Sequence, residues 1–478
     1  MVFISATVLG YFAITFGYSA FCAVNALKKA NISAPLASII SLAILRFLYL
    51  TDMVSGLQLQ YQYLQQISAY SHFVSSTYSK RNKMLSLIKK LTHSTTVAGS
   101  QFALLLLANI IPKDKSLWVY GCLRGYSEGC AAIIEIAHKD GTHRNVWLYR
   151  SESERVALQQ RGMSHYPLHS LRGYWYCLRA NLAFIAYGFN DLNGTAIHGA
   201  KIINVWHGTP LKKIYFDSPQ LLGSSIRKRV KRHLQSCFTR RIYIFPVSSE
   251  ISRTRIESAF RLKPKVAVVV GEPRTDKVLL KANANHTEDL LINELLKLGP
   301  DRVLLYAPTW RAGSIQSDMQ GFHDLVSLLE KHDKYVAFRA HPLDGNNPIL
   351  KFNHRRVLLF PQNTYQDVND YLWLFGALIT DYSSIAIDFS LRSRSIYFFA
   401  PDIDSYHETQ GLYESYDVFT DSSWHKDWHG LIQSIEKNWS NGVTQNNCSK
   451  KLLKRYHEFQ DGQSALRTYE LCKKLSNK

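Results

Sequence analysis

From residue 117 to residue 399 the chain repeats one pattern: a short apolar, β-favouring run, a polar turn, then a longer segment of helical character. That alternation is the mark of parallel strands covered by helices, an α/β architecture. The clearest runs are Leu117–Tyr120, Val146–Tyr149, Phe184–Tyr187, Ile202–Trp206 and Ile242–Val247. Further along come Val266–Val270, Val303–Tyr306, Val336–Arg339, Val357–Phe360, Ala377–Thr380 and Ile396–Phe399. They fall into two sets, one between about 112 and 250 and one between about 266 and 400. Two α/β domains of similar size facing across a cleft fit this arrangement. No internal repeat or low-complexity segment interrupts it.

In parallel sheets, ligand-binding residues sit just beyond the carboxyl ends of the strands. Five runs meet that condition. Ile202–Trp206 is followed by His207-Gly208-Thr209-Pro210, and Val266–Val270 by Gly271-Glu272-Pro273-Arg274-Thr275-Asp276. Val303–Tyr306 leads to Ala307-Pro308-Thr309-Trp310-Arg311, and Val336–Phe338 to Arg339-Ala340-His341-Pro342. Ala377–Thr380 leads to Asp381-Tyr382-Ser383-Ser384. Each could be an ordinary turn or cap. Five together point to one shared site.

The residue types suggest its chemistry. Ser383 and Ser384 precede an apolar helical run, Ile385 to Leu391, where hydroxyls and free N–H groups favour an anion. Arg274 and Arg311 have the forked geometry that suits phosphoryl oxygens. His207 and His341 come from different domains, and histidine titrates near neutrality. This set describes phosphoryl transfer, or glycosyl transfer from a nucleotide donor, catalysed mostly by positioning and charge neutralisation. There is no P-loop and no H-E-x-x-H.

Length and charge set the frame around that site. At 478 residues, 46% of them apolar and 12% aromatic, the chain exceeds one ordinary core. Its formal charge of +20 calls for an anionic partner but does not choose one. Seven cysteines, with no C-x-x-C pair, argue against a zinc site or a disulfide framework and for a reducing compartment. The first charged residue is Lys28, so a positive n-region is lacking and a secretory signal is not expected. That stretch, and the run Ala34 to Leu50 broken by Arg46, read as buried helices of a globular appendage, as membrane-associated helices, or as a span. We therefore expect a helical, apolar N-terminal region over 1–110. Two α/β domains, over 111–255 and 256–425, and C-terminal helices over 426–478 follow it.

The motifs WHGTPLK, G-x-PR-x-D, YAPTWR, R-x-HP and TDYSSI-x-x-DF, in that order, resemble the CDP-glycerol glycerophosphotransferase family of teichoic acid and capsule polymerases and primases. The resemblance covers roughly residues 111–420. It implies a GT-B fold of two Rossmann-like domains. It also implies transfer of a polyol phosphate from a CDP-activated donor to an acceptor hydroxyl, with release of CMP. His207 matches the family's presumed base, and His341 the histidine implicated at the donor pyrophosphate. Ser383, Ser384, Arg311, Arg274 and Asp276 match donor-side positions, with Arg339 and Asp381 in the same motifs. Gly208, Thr209, Lys212 and Lys213 fall on the acceptor side, though the two lysines fit a solvated turn equally.

Two departures stand out. GCLRGYSEGC, with Glu128-Gly129, replaces the family's usual Asp-Asn after the first strand. Gln410-Gly411-Leu412-Tyr413-Glu414-Ser415-Tyr416 replaces RGFY-x-DY. Both leave the acceptor and the polyol open, so CDP-ribitol stands beside CDP-glycerol. No cofactor is expected, and metal dependence is open. The expected partners are the CDP-polyol, a polyanionic or lipid-linked glycan acceptor and an anionic cytoplasmic membrane face, without nucleic acid. The basic run 227–233 suits lipid or polymer, or is a solvated helix face. Two other readings remain: a GT-B glycosyltransferase using a CMP-sugar, sialyltransferase-like, and a non-catalytic polymer-binding protein.

Overall fold

The computed structural model describes residues 100–219, 225–280, 289–309, 318–341, 344–404 and 411–476. Residues 1–110 and 111–478 form two separate compact units. Of the first unit only 100–110 are described, and they are helical. The apolar runs before residue 51 lie outside the described residues. Among those described, no helix is long and apolar enough to cross a membrane.

The second unit is built on two parallel sheets. Strands β1 (Asp114–Tyr120), β2 (Arg144–Tyr149), β3 (His165–Pro167), β4 (Ala180–Ile185), β5 (Lys201–Asn204), β6 (Ile242–Val247) and β7 (Ala267–Val269) form the first. Its order is β3-β2-β1-β4-β5-β6-β7. Strands β8 (Val303–Ala307), β9 (Tyr335–Phe338), β10 (Val357–Leu359), β11 (Ala377–Thr380), β12 (Ser395–Phe399) and β13 (Trp424–His425) form the second, in the order β10-β9-β8-β11-β12-β13. Helices cover the sheets, so central strands are buried along their whole length: β4, β8, β11 and β12 have no exposed position. This produces the uninterrupted apolar runs in the sequence. Each sheet reverses its strand order once, between β1 and β4 and between β8 and β11. At such points the loops beyond the strands part and leave a crevice.

Sequence grouping assigns Val266–Val270 to the second set of strands. The structure pairs β7 with β6 instead, Phe245 opposite Ala267 and Val247 opposite Val269. The change of sheet therefore follows Val269. A three-residue edge strand carries nothing in its composition that selects a sheet. Two more edge strands, β3 and β13, are not marked by apolar runs at all.

Aromatic packing holds each sheet. In the first, Phe184 stacks on Tyr120 at 4.3 Å, and Trp118, Trp147 and Tyr469 join the same core. In the second, Trp428 opens the helix Trp428–Ser440 and lies 4.4 Å from Phe399. The facing helix Met319–Lys331 makes room for it at Gly321, where an added Cβ would come 2.0 Å from Trp428 Cδ1. The last helix, Ser464–Ser476, returns to the first sheet. It packs on the helix Glu128–Asp140, and its Ser476 hydroxyl accepts from Trp118 Nε1 at 3.2 Å.

Candidate active site between the two sheets

Strand β5 ends in a sharp turn. Trp206 takes φ +53° and Gly208 φ +145°, and His207 lies between them. The imidazole is sandwiched by Tyr187 at 4.2 Å and Trp206 at 3.9 Å. Its Nδ1 lies 3.1 Å from the Ala186 carbonyl oxygen. A carbonyl only accepts, so Nδ1 carries the proton and Nε2 the lone pair. Burial, with Arg274 and Arg124 adding to it, lowers the pKa to about 4, against the opposing pull of the Ala186 hydrogen bond. His207 is therefore neutral near pH 7, in the tautomer a general base requires.

Gly208 lies against Arg274 and Ser384. A Cβ there would stand 3.3 Å from Arg274 Nη2 and 3.3 Å from Ser384 Oγ. Glycine thus meets both the backbone conformation and the close approach. Thr209 turns the other way, into a buried network with Glu272 at 2.6 Å, Ser248 at 3.1 Å and Ser252 at 3.3 Å. Arg255 Nη1 holds the Pro210 carbonyl at 3.0 Å. Lys212 forms an antiparallel bridge with Leu412, and the Lys213 N–H donates to Gly411 at 3.1 Å. The His207 turn is thereby strapped to the 411–413 segment, one of the two places where the motif departs. The Lys213 side chain is exposed.

Arg274 does not present an open fork. Nη1 and Nη2 grip Asp388 at 2.8 and 2.6 Å, and Nε donates to Glu272 at 3.0 Å. Burial opposes the charge, but Asp388 and Glu272 hold Arg274 above the ordinary arginine pKa. Burial also pushes Asp388 up while Arg274 pulls it down. Two short bonds to one guanidinium are the geometry of an ionised pair, and we treat it as one. Asp276 faces away, accepting the N–H groups of Ser464 at 2.9 Å and Ala465 at 2.7 Å, so it caps the returning helix.

On the second sheet, Asp381 accepts from the Thr309 hydroxyl at 2.6 Å and both its oxygens from the Thr309 N–H at 3.0 Å, bridging the ends of β8 and β11. Ser383 Oγ accepts from the Ile385 N–H at 3.4 Å. Ser384 opens the short helix Ile385–Ser390 without a side-chain cap bond. Arg339 is 8% exposed and gives Nη2 to the Gln366 carbonyl at 3.2 Å. Burial, with Arg124 adding and Asp367 opposing, brings it down to about 10. Burial and Arg124 also lower His341. Arg311 lies outside the described residues.

Three residues that sequence reasoning did not assign stand in this site. Glu128 opens its helix at φ +58°, a conformation rare for a residue with a side chain. Its carboxylate accepts from the Tyr187 hydroxyl at 2.7 Å. Burial first, then Asp367, raises it to about 7, against Arg274, Tyr187 and Lys277. Tyr187 joins Glu128 to the His207 ring. Arg124 stands with its Cζ 5.4 Å from the same tyrosine ring. The one sequence signal was the departure at Glu128-Gly129. Nothing along the chain reveals that Tyr187 connects it to His207.

The site thus brings His207, Gly208, Arg274 and Ser384 together, with Tyr187 and Glu128 behind the histidine. It offers a neutral base and a hydroxyl beside a buried arginine that is already paired to Asp388 and Glu272.

Comparison with known proteins agrees with this chemistry. Residues 103–474 match the family described as CDP-glycerol:poly(glycerophosphate) glycerophosphotransferase. The teichoic acid poly(glycerol phosphate) polymerase of Staphylococcus epidermidis is 26% identical over 326 residues, 64% of this chain and 43% of that protein. The teichoic acid ribitol-phosphate polymerase TarL of Staphylococcus aureus is 27% identical over 226 residues, 46% of this chain and 39% of that protein. The chain thus spans less than half the length of either relative. In fold it is similar to the wall teichoic acid polymerase TagF. The TM-score is 0.63 at 20% identity, over 83% of this chain and 98% of that one.

Proposed function

Because the chain belongs to the CDP-glycerol:poly(glycerophosphate) glycerophosphotransferase family, we propose that it transfers a polyol phosphate from a CDP-activated donor to an acceptor hydroxyl, releasing CMP. The acceptor is a cell-surface polymer or its lipid-linked primer. Glycerol phosphate is the first choice of group and ribitol phosphate the second, since relatives of both kinds are similar to this chain.

The observation that carries the reading is His207: neutral, fixed as the Nδ1–H tautomer, and next to the glycine that abuts Ser384. In the reaction, Nε2 takes the proton of the acceptor hydroxyl. The oxygen attacks the phosphorus that carries the polyol. The bond from that phosphorus to the bridging oxygen breaks, and CMP leaves with the electron pair. Arg339 neutralises phosphate charge and His341, Ser383 and Ser384 hydrogen-bond the phosphates, while Arg274, Asp276, Asp381 and Thr209 hold the strand ends that position them.

In this reading the unit is GT-B-like. The first sheet is the acceptor half, the second the donor half, and the cleft between them is the site. The enzyme works peripherally on an anionic cytoplasmic membrane face. Support comes from the +20 charge and from the helix Ile226–Thr239, IRKRVKRHLQSCFT.

The test supplies CDP-glycerol, CDP-ribitol or a CMP-sugar with a membrane-derived acceptor and measures phosphorus gained by the acceptor. Gain from one CDP-polyol, with equal CMP released, identifies the donor. Sugar transfer without phosphorus gain would replace this reading with the glycosyltransferase one.

A further inference from the structure

The loop after β1, residues 121–127, holds a cation that the fold does not use. Arg124 is exposed, and among the described residues no carboxylate lies within ion-pair distance of it. It stands by the ring of Tyr187, which stacks on His207. From the second sheet comes Arg339, at the end of β9. It is buried, and its Nη1 has no hydrogen-bond partner among the described residues. A buried donor left unpaired is costly, and a buried cation more so. An anion at that nitrogen removes both penalties. Arg124 is near enough to lower the pKa of His207, His341 and Arg339 alike. Positive charge from two strand ends, Arg124 after β1 and Arg339 after β9, thus lies near the neutral His207 and His341, and neither arginine has a carboxylate within ion-pair distance among the described residues.

We propose that Arg124 reaches from the first sheet and, with Arg339, holds a phosphoryl oxyanion between His207 and His341. The inference rests on the polyol-phosphate reading above and adds a binding residue to it. The oxyanion belongs either to the donor pyrophosphate or to the phosphodiester next to the attacking hydroxyl of the acceptor. Both present the same group to a guanidinium. Tyr187 restrains the arginine by its ring face, and so couples anion binding to the ring that orients the base.

Inorganic pyrophosphate is the direct probe, because its binding is read by calorimetry without turnover. Arg124→Ala should weaken it at least about tenfold, whereas Arg124→Lys, which keeps the charge, should lose less. Unchanged affinity in Arg124→Ala, or no binding to the unmodified protein, would overturn the proposal. Thermal unfolding of both variants checks that an exposed loop residue has not disturbed the fold. Steady-state kinetics then separate the sources. A raised KM for the CDP-polyol in Arg124→Ala assigns the oxyanion to the donor, and a raised KM for the acceptor assigns it to the polymer. If the unmodified protein binds pyrophosphate through Arg124 yet transfers no polyol phosphate, the anion site stands and the reaction assigned above falls.

Discussion

A buried acid, Glu128, and a buried base, His207, meet through one tyrosine, and their pKa values have moved in opposite directions. His207 has dropped to about 4 and Glu128 has risen to about 7. The consequences for stability have opposite signs. The folded protein binds the Glu128 proton more tightly than the unfolded chain does, so this group destabilises the fold as pH rises from about 4.5 through 7. For His207 the unfolded chain binds the proton more tightly, so stability is lost as pH falls from about 6.5 through 4. Activity follows the same values. The kcat/KM profile should bend near pH 7 with Glu128 and keep the base competent well below pH 6.5. Glu128→Gln should remove the bend near 7 and flatten the fall in thermal midpoint between pH 5 and 8. A profile identical to that of the parent would show that Glu128 does not act on the site.

At the scale of elements, the strand-end segments divide into those that meet substrate and those that hold the ends in place. Asp276 is of the second kind, because its carboxylate takes two backbone N–H groups at the start of Ser464–Ser476. Asp276→Ala should cost about 1–3 kcal/mol of stability, the range for buried donors left without a partner. Donor KM should stay within about twofold in the same variant. Intact stability with a large rise in donor KM would put Asp276 at the nucleotide. The sequence made the strands of the sheet interiors legible because burial on both faces leaves continuous apolar runs, as in β8 and β12. It made His207 and Ser384 legible because crossover geometry collects strand ends at one edge. Whether an arginine forks onto a phosphate or onto Asp388 depends on a residue 114 positions away, which local pattern does not register. The same holds for β7, whose partner sheet is a tertiary choice, and for the Tyr187 hydroxyl that finds Glu128 across 59 positions.

Over the whole molecule, the C-terminal helix Ser464–Ser476 returns to pack on the first sheet, and the chain carries a formal charge of +20. The proposed action of this +20 charge on an anionic surface would be sensitive to screening. Binding to vesicles containing anionic lipid should therefore weaken steadily as salt is raised, and binding to neutral vesicles should be negligible. Equal binding to both at every salt concentration would remove the electrostatic account of the charge. The central claim is narrower: a neutral His207 accepts the acceptor's proton during transfer of a polyol phosphate. It is tested most directly by CMP release from CDP-glycerol and CDP-ribitol, acceptor present, with the parent protein and His207→Ala compared at pH 7. We predict release from one donor, reduced at least about 10²-fold by the substitution, as for loss of a general base. Release that persists at the parent rate in His207→Ala would contradict the assignment.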